Sequence, residues 1–113
     1  MSPYPARTTE AGVVVVQPDG RLNMVAAPSL RRQLHALVDG GNSKVVVDLS
    51  KTEFIDSSGL GALISGLKVA RQAGGDLRIA APTRQVVTVL ELTNLNRVLR
   101  AHDSVDGAFD DQP

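Results

Sequence analysis

The sequence contains no cysteine and no tryptophan, and tyrosine and phenylalanine together make up 3% of its 113 residues. Without cysteine the chain forms no disulfide and offers no thiolate as a zinc ligand or a nucleophile. Because aromatic side chains are so scarce, the core must consist of valine, leucine, isoleucine and alanine. A chain of this length is expected to form one domain, since domains most often have roughly 100–150 residues.

Net charge and long apolar runs are also missing. Twelve basic residues balance twelve acidic ones, so the positive excess typical of a general nucleic-acid-binding domain is absent. No apolar run approaches the roughly 20 residues of a membrane-spanning helix, and residues 1–12 lack the apolar segment of a signal peptide. We therefore expect a cytoplasmic domain that has neither nucleic acid nor a membrane as its partner.

Strand-like and helix-like apolar patterns alternate along the chain. The β-branched run at residues 13–16 predicts a strand buried on both faces, and the segments 44–49 and 76–80 predict two more. Helices are predicted after Pro28 and after Ser58, where apolar residues recur at helical spacing. This order predicts an α/β fold with parallel strand pairs.

Weaker patterns connect these elements. Residues 21–23 could pair back as a short strand, and residues 98–101 could add an edge strand. Valines in the segment 82–92 favour a strand by propensity, but their spacing favours a helix, which we predict. Ser104 could cap a final helical turn. The expected boundaries are a flexible lead-in at 1–12, the domain at 13–109 and a tail at 110–113.

The stretch from Phe54 to Lys68 is the most informative part of the sequence. Two serines stand where its helix begins, at the end with free N–H donors and partial positive charge. The apolar face of this helix has small residues beside it, which suggests close approach by another surface; these are Gly59, Ala62, Gly66 and Ala70. We interpret the stretch as a hydroxyl displayed on a contact surface. Asp56 either caps the helix or serves as a partner of the hydroxyl, and the two roles are compatible.

Catalytic and cofactor motifs are not found. His35 and His102 stand in no motif with ligand spacing. The run Ser57-Ser58-Gly59 lacks the preceding glycine of a nucleophile elbow, because that position is Asp56. The two glycines Gly59 and Gly61 are too few for a dinucleotide fingerprint or a phosphate-binding loop. We therefore predict a protein that is not an enzyme and has no metal or cofactor.

Ser58 is instead a candidate phosphoacceptor. A phosphate in the first turn of a helix is favoured by the helix dipole, but it adds about −1.5 to −2 of charge close to Asp56. The fold could tolerate that charge, whereas a closely packed partner surface could not. This asymmetry is what a binding switch requires.

At these residues the sequence resembles the STAS domain, and within it the bacterial anti-sigma factor antagonists. The resemblance rests on the runs Val45-Val-Val-Asp-Leu49 and Phe54-Ile-Asp-Ser-Ser-Gly-Leu-Gly61, on the helix that follows, and on a Gly20-Arg-Leu22 strand with a helix after it. It implies a mixed four- to five-stranded sheet with about four flanking helices. It also implies a function by binding, as a monomer or weak dimer.

The same resemblance implies a partner-switching mechanism. The unphosphorylated protein would bind an anti-sigma factor that is a serine kinase and so release the sigma factor. The kinase would then phosphorylate Ser58 and end the interaction, and a serine phosphatase would reset it. The implied partner-binding residues are Asn23, Met24, Asp56, Ser57, Ser58, Gly59, Gly61, Ala62 and Ser65.

Asn23 departs from the family pattern, because many members have aspartate at this position. An amide donates and accepts hydrogen bonds but brings no charge, so we expect partner binding to persist and phosphorylation to be less efficient. The alternative function is a STAS accessory module of a lipid-transport complex or a sensory scaffold, without a phosphorylation switch.

Overall fold

A five-stranded sheet forms the centre of the structure, a computed structural model that describes residues 4–109. In spatial order its strands are Ala6–Thr8 (β1), Val14–Val16 (β2), Lys44–Asp48 (β4), Asp76–Ala80 (β6) and Ala101–His102 (β7). The β1–β2 pair is antiparallel and the other neighbouring pairs are parallel. A separate two-stranded sheet pairs Gly20–Leu22 (β3) with Thr52–Ile55 (β5) in parallel.

Three α-helices flank these sheets, at Ala27–Asp39 (α1), Ser57–Gln72 (α2) and Arg84–Leu92 (α3), and a short 3-10 helix follows at Leu95–Arg97. The helix predicted for the ambiguous valine-rich segment is thus confirmed as α3. Among residues 4–109, no helix is long and apolar enough to cross a membrane. Ser104 caps a final turn as predicted, since its hydroxyl accepts a hydrogen bond from the Gly107 N–H (3.2 Å) and the Ala108 N–H donates to the Val105 carbonyl (3.2 Å). Within residues 4–109 this turn does not extend into the expected fourth helix.

The valine runs supply two separate cores because successive strand residues point to opposite faces. On one face, which we call the helical face, the core includes Val14, Val16, Val45 and Val47 together with leucines of α1 and α2. On the other, the outer face, Val13, Val15 and Val46 pack with Ala80 and Ala108. The burial on both faces that was predicted for the strand at residues 13–16, now β2, is confirmed.

The predicted flexible lead-in is wrong for residues 6–8, which form β1. The buried Gln33 side chain of α1 holds the chain just before it, accepting from the Tyr4 N–H (3.2 Å) and donating to the Tyr4 carbonyl (2.9 Å). All three residues of β1 are exposed, so this edge strand has no apolar alternation by which the sequence could predict it. Residues 1–3 and the expected tail at 110–113 lie outside the described residues.

Two other strand predictions are corrected. β3 pairs with β5 rather than back with β2, because Gly20, at a φ of +72°, turns the chain and donates its N–H to the Lys51 carbonyl (3.0 Å). β5 itself was not predicted. The expected edge strand at 98–101 is shorter and later, at Ala101–His102.

Candidate binding site

Asp56 is the N-cap of α2. Its backbone is extended (φ −122°, ψ −171°), and its Oδ1 accepts hydrogen bonds from the N–H groups of Ser58 (2.9 Å) and Gly59 (3.1 Å). These are two of the donors that the first turn of a helix leaves unpaired. Within the described chain, Oδ2 accepts no hydrogen bond. The capping role of Asp56 is confirmed, and one of its oxygens is left for a partner.

The three residues after the cap differ in exposure. Ser57 is exposed and Ser58 is half-buried, whereas Gly59 is buried. A Cβ atom on Gly59 would collide with the Leu22 carbonyl oxygen and lie 2.7 Å from Cγ1 of Ile55. The predicted contact role of Gly59 is therefore wrong, because its missing side chain lets α2 approach β3 and β5. The two serines are left to face outward.

Asn23 follows β3 and holds the turn between β3 and α1. Its side-chain oxygen accepts from the N–H groups of Val25 (3.0 Å) and Ala26 (3.2 Å), which forms an Asx turn leading into α1. Met24 and Val25 are thereby held at the surface with 68% and 83% of their areas exposed. Apolar side chains this exposed at a fixed turn are typical of a binding surface.

A groove of about 540 Å³ brings the turn, α1 and the start of α2 together, and we call it the Ser58 groove. It joins four predicted site residues with the beginning of α1, and it includes two arginines that we did not predict. Its lining residues are Met24, Ala27, Pro28, Arg31, Arg32, Ser58, Gly61 and Ala62. Gly61 is exposed with open space around it, so a partner can approach the helix backbone there.

The remaining small residues of α2 are packed inside the domain. Ala62 has 3% of its area exposed and Ala70 none, and a Cβ atom on Gly66 would lie 2.7 Å from Cδ1 of Leu34. The interpretation of this strip as a contact surface is wrong, apart from the edge of Ala62 in the groove. Replacing Ala62 by leucine would therefore disturb the packing of the domain.

Ser65 is also engaged inside the domain. Its Oγ lies 2.7 Å from Nε2 of His35, a residue of α1. A hydroxyl that is half-buried and already bonded to the neighbouring helix has little left to offer a partner. The structure thus places Ser65 in the α1–α2 contact, and it gives His35 a packing role.

Gln85 of α3 is a positioning residue that sequence reasoning missed. Its amide accepts from the Ile55 N–H (2.9 Å) and donates to the Ile55 carbonyl (3.1 Å), as a neighbouring strand would. Thr83 supports the same edge by donating to the Thr52 carbonyl (3.1 Å). Because Ile55 immediately precedes the cap, these bonds fix where α2 begins. No local pattern marks Gln85, since the contact spans 30 residues of sequence.

No metal centre is found in this region. Within residues 4–109, no group of three or more histidine, cysteine, aspartate or glutamate side chains is arranged to hold a metal ion. The geometry is that of a surface with an exposed apolar turn, a displayed serine and a capped helix.

The family model of the STAS domain matches residues 4–108. The chain belongs to the STAS domain family. This STAS domain is 31% identical over 100 residues to a proposed anti-sigma factor antagonist of Thermotoga maritima, a match that covers 88% of each chain.

Solved structures share the architecture. A crystal structure of a proposed anti-sigma factor antagonist from Thermotoga maritima is 29% identical and superposes with a TM-score of 0.88, covering 96% of this chain and 92% of that one. An anti-sigma factor antagonist of Mycobacterium paratuberculosis is 27% identical with a TM-score of 0.83, covering 94% and 89%. The predicted mixed sheet with flanking helices is therefore confirmed as the STAS fold, with three α-helices in place of about four.

Proposed function

We propose that this STAS domain is an anti-sigma factor antagonist whose binding is switched off by phosphorylation of Ser58. In its unphosphorylated form it binds an anti-sigma factor that is a serine kinase, and so releases the sigma factor. A serine phosphatase restores the unphosphorylated form. A cytoplasmic location follows, because the kinase needs ATP and the sigma factor acts on transcription. The names of the relatives support the regulatory class.

One observation carries the proposal. Ser58 lines a surface groove beside the exposed Met24, on a helix start that Asp56 has already capped. The Ser58 backbone is held by the cap, yet within the described residues its hydroxyl makes no hydrogen bond to the protein. A kinase can therefore reach the oxygen without unfolding the helix.

The expected effect of the phosphate follows from charge and position. Phosphorylation adds about −1.5 to −2 of charge next to a carboxylate that is committed to the cap. In the free domain the phosphate lies in an open surface groove, so the fold is little affected. In a complex the same charge would be desolvated at the contact, and burial of an uncompensated charge is strongly unfavourable. Binding is lost while folding is kept.

Intact-mass measurement after incubation with each candidate anti-sigma kinase and ATP–Mg²⁺ tests the proposal. We expect one added phosphate, mapped to Ser58. Ser57→Ala is the matched control, since it removes the exposed neighbouring hydroxyl and should still be phosphorylated. Ser58→Ala should bind the kinase with unchanged affinity, and Ser58→Asp should bind more weakly. Equal affinities for those two variants, or a phosphate on Ser57, would contradict the switch.

A second candidate is a STAS accessory module of a lipid-transport complex or a sensory scaffold. Two exposed apolar residues outside the Ser58 groove favour it, since Leu92 and Val98 are 79% and 37% exposed. Recovery of transporter or scaffold subunits with the purified domain, without phosphorylation of Ser58, would support this function over the first.

A further inference from the structure

The charged residues that line the Ser58 groove are all basic. Arg31 and Arg32 line it, and none of its lining residues is acidic. Arg32 donates from Nη2 to the Ser29 hydroxyl (3.3 Å), whereas Arg31, within residues 4–109, makes no hydrogen bond or ion pair. The nearby Asp56 carboxylate is engaged through Oδ1 in capping α2. A domain with no net charge thus concentrates two guanidinium groups at its candidate binding site.

The register of the two helices brings Arg31 towards Ser58. His35 contacts Ser65, and one helical turn earlier on each helix stand Arg31 and Gly61, both in the groove. Side chains on a helix lean towards its N-terminus and cover the preceding turn. This direction leads along the groove from Arg31 to Ser58, and both residues line it, so one ligand can contact both.

The chemistry of the groove defines what it can bind. Its apolar lining includes Met24, Ala27 and Pro28. Its charged lining is arginine, whose planar guanidinium pairs with a carboxylate or a phosphate through two parallel hydrogen bonds. A segment with apolar side chains beside an aspartate or glutamate satisfies both features. A basic or purely apolar segment would leave Arg31 desolvated without a partner.

We propose that Arg31 binds a carboxylate of an acidic segment of the anti-sigma partner, and that a phosphate on Ser58 displaces that carboxylate by pairing with Arg31. This inference rests on the proposed function and adds the chemistry of the partner to it. Phosphorylation then acts in two ways, by adding charge at the contact and by occupying the cation that the partner needs.

Binding to the anti-sigma kinase tests the contact between Arg31 and a carboxylate of the partner. Arg31→Gln should weaken binding by about tenfold in low salt and make the remaining affinity less sensitive to salt, as expected when one charge pair of an interface is removed. Arg31→Lys should restore part of the loss. Arg7→Gln is the matched control, because Arg7 is an exposed arginine on the outer face of the sheet. It lies opposite Val15 in the register of β1 and β2. Equal affinities for Arg31→Gln and Arg7→Gln would overturn the proposal.

The contact between Arg31 and a phosphate on Ser58 is tested without any kinase. Phosphoserine is incorporated at position 58 during translation, and the phosphate is titrated by ³¹P NMR. We expect its second pKa to be lower by about 0.5 than in the Arg31→Gln variant, since a neighbouring cation favours the dianion. Arg7→Gln should leave the titration unchanged. The same second pKa with and without Arg31 would disprove the phosphate contact.

The two tests separate the inference from the proposed function. If no anti-sigma kinase binds the wild-type domain, the proposed function fails together with the partner half of the inference, while the titration still decides the phosphate contact. If a kinase binds and Arg31→Gln binds equally well, the proposed function stands and the acidic partner segment is disproved.

Discussion

Gly59 and Gly61 are two positions apart on α2 and have opposite surroundings. Gly59 lies against the backbone of β3, where a Cβ atom would collide with the Leu22 carbonyl oxygen, and Gly61 opens onto the Ser58 groove. The first glycine lets the helix approach the neighbouring strands. The second leaves space at the surface and lowers the stability of the helix.

Alanine at these two positions should shift the free energy of unfolding in opposite directions. Gly59→Ala should destabilise the domain by about 1–3 kcal/mol or more, because the methyl group overpacks a closed site. Gly61→Ala should stabilise it by up to about 1 kcal/mol through helix propensity, while its methyl group narrows the groove and weakens partner binding. Urea unfolding of both variants measures the changes in stability, and titration with the kinase measures the change in binding. Loss of stability in Gly61→Ala would contradict the open space seen around Gly61.

Asn23 is a residue whose two roles can be separated by substitution. Asn23→Asp keeps the oxygen that accepts from Val25 and Ala26, so the unfolding free energy should change by less than about 1 kcal/mol. The added carboxylate should raise the rate of Ser58 phosphorylation. Asn23→Ala should lower the free energy of unfolding by about 0.5–1.5 kcal/mol, the usual net contribution of a hydrogen bond. Unfolding curves and a kinase time course decide between these effects, and an unchanged rate in Asn23→Asp would show that the amide does not limit the switch.

At the scale of elements, α3 completes the two-stranded sheet. β5 pairs with β3 along one edge, and the Gln85 amide takes the place of a further strand at Ile55. An unpaired backbone group that is buried is unfavourable by about 1–3 kcal/mol. This side-chain contact therefore joins α3 to the strand that leads into the cap.

Gln85→Ala should lower the free energy of unfolding by about 1–3 kcal/mol, because it leaves the Ile55 backbone groups without partners. Hydrogen exchange of the Ile55 amide should become faster, and Ser58 phosphorylation should slow as the start of α2 loosens. Gln72→Ala, an exposed glutamine at the end of α2, is the matched control and should change none of these. An unchanged exchange rate at Ile55 would contradict the role of Gln85.

At the scale of the whole molecule, the two faces of the central sheet are covered by different means. Two helices cover the helical face, and the C-terminal turns cover the outer face. Arg78, with 4% of its area exposed, holds those turns by donating to the Ala108 carbonyl (2.9 Å) and stacking over the Phe109 ring at 4.4 Å. It also pairs with Asp76 at 3.1 Å. Arg78 lies on the opposite face of the sheet from the helices that form the Ser58 groove.

A chain that ends at Asp103 should lose the cover of the outer face and expose Val13, Val15 and Val46. We expect the free energy of unfolding to fall by roughly 3 kcal/mol, on the order of one or two buried apolar side chains, and self-association to appear. A chain that ends at Phe109 keeps the residues that supply this cover and is the reference for the comparison. Urea unfolding and sedimentation velocity compare the two; a stable, monomeric short chain would show that the turns contribute little.

The sequence by itself determined the strands rich in valine, the three helices and the displayed serine. Each of these depends on local information: β-branched runs, helical spacing, and the Asp56 side chain beside the donors that it caps. The resemblance to the STAS family rests on such runs as well. The sequence could not determine which small residues are exposed and which are packed inside the domain. Gly59 and Gly61 differ only in what another part of the chain places against them.

Tertiary structure alone decided the contacts between distant segments. Four contacts of this kind join residues that are far apart in sequence: the bond from Tyr4 to Gln33 before β1, the pairing of β3 with β5, the bond from Gln85 to Ile55, and the meeting of Arg31 and Ser58 in one groove. None leaves a periodic pattern, since each depends on one side chain or on backbone hydrogen bonds. The composition of the Ser58 groove follows from the packing of α1 on α2.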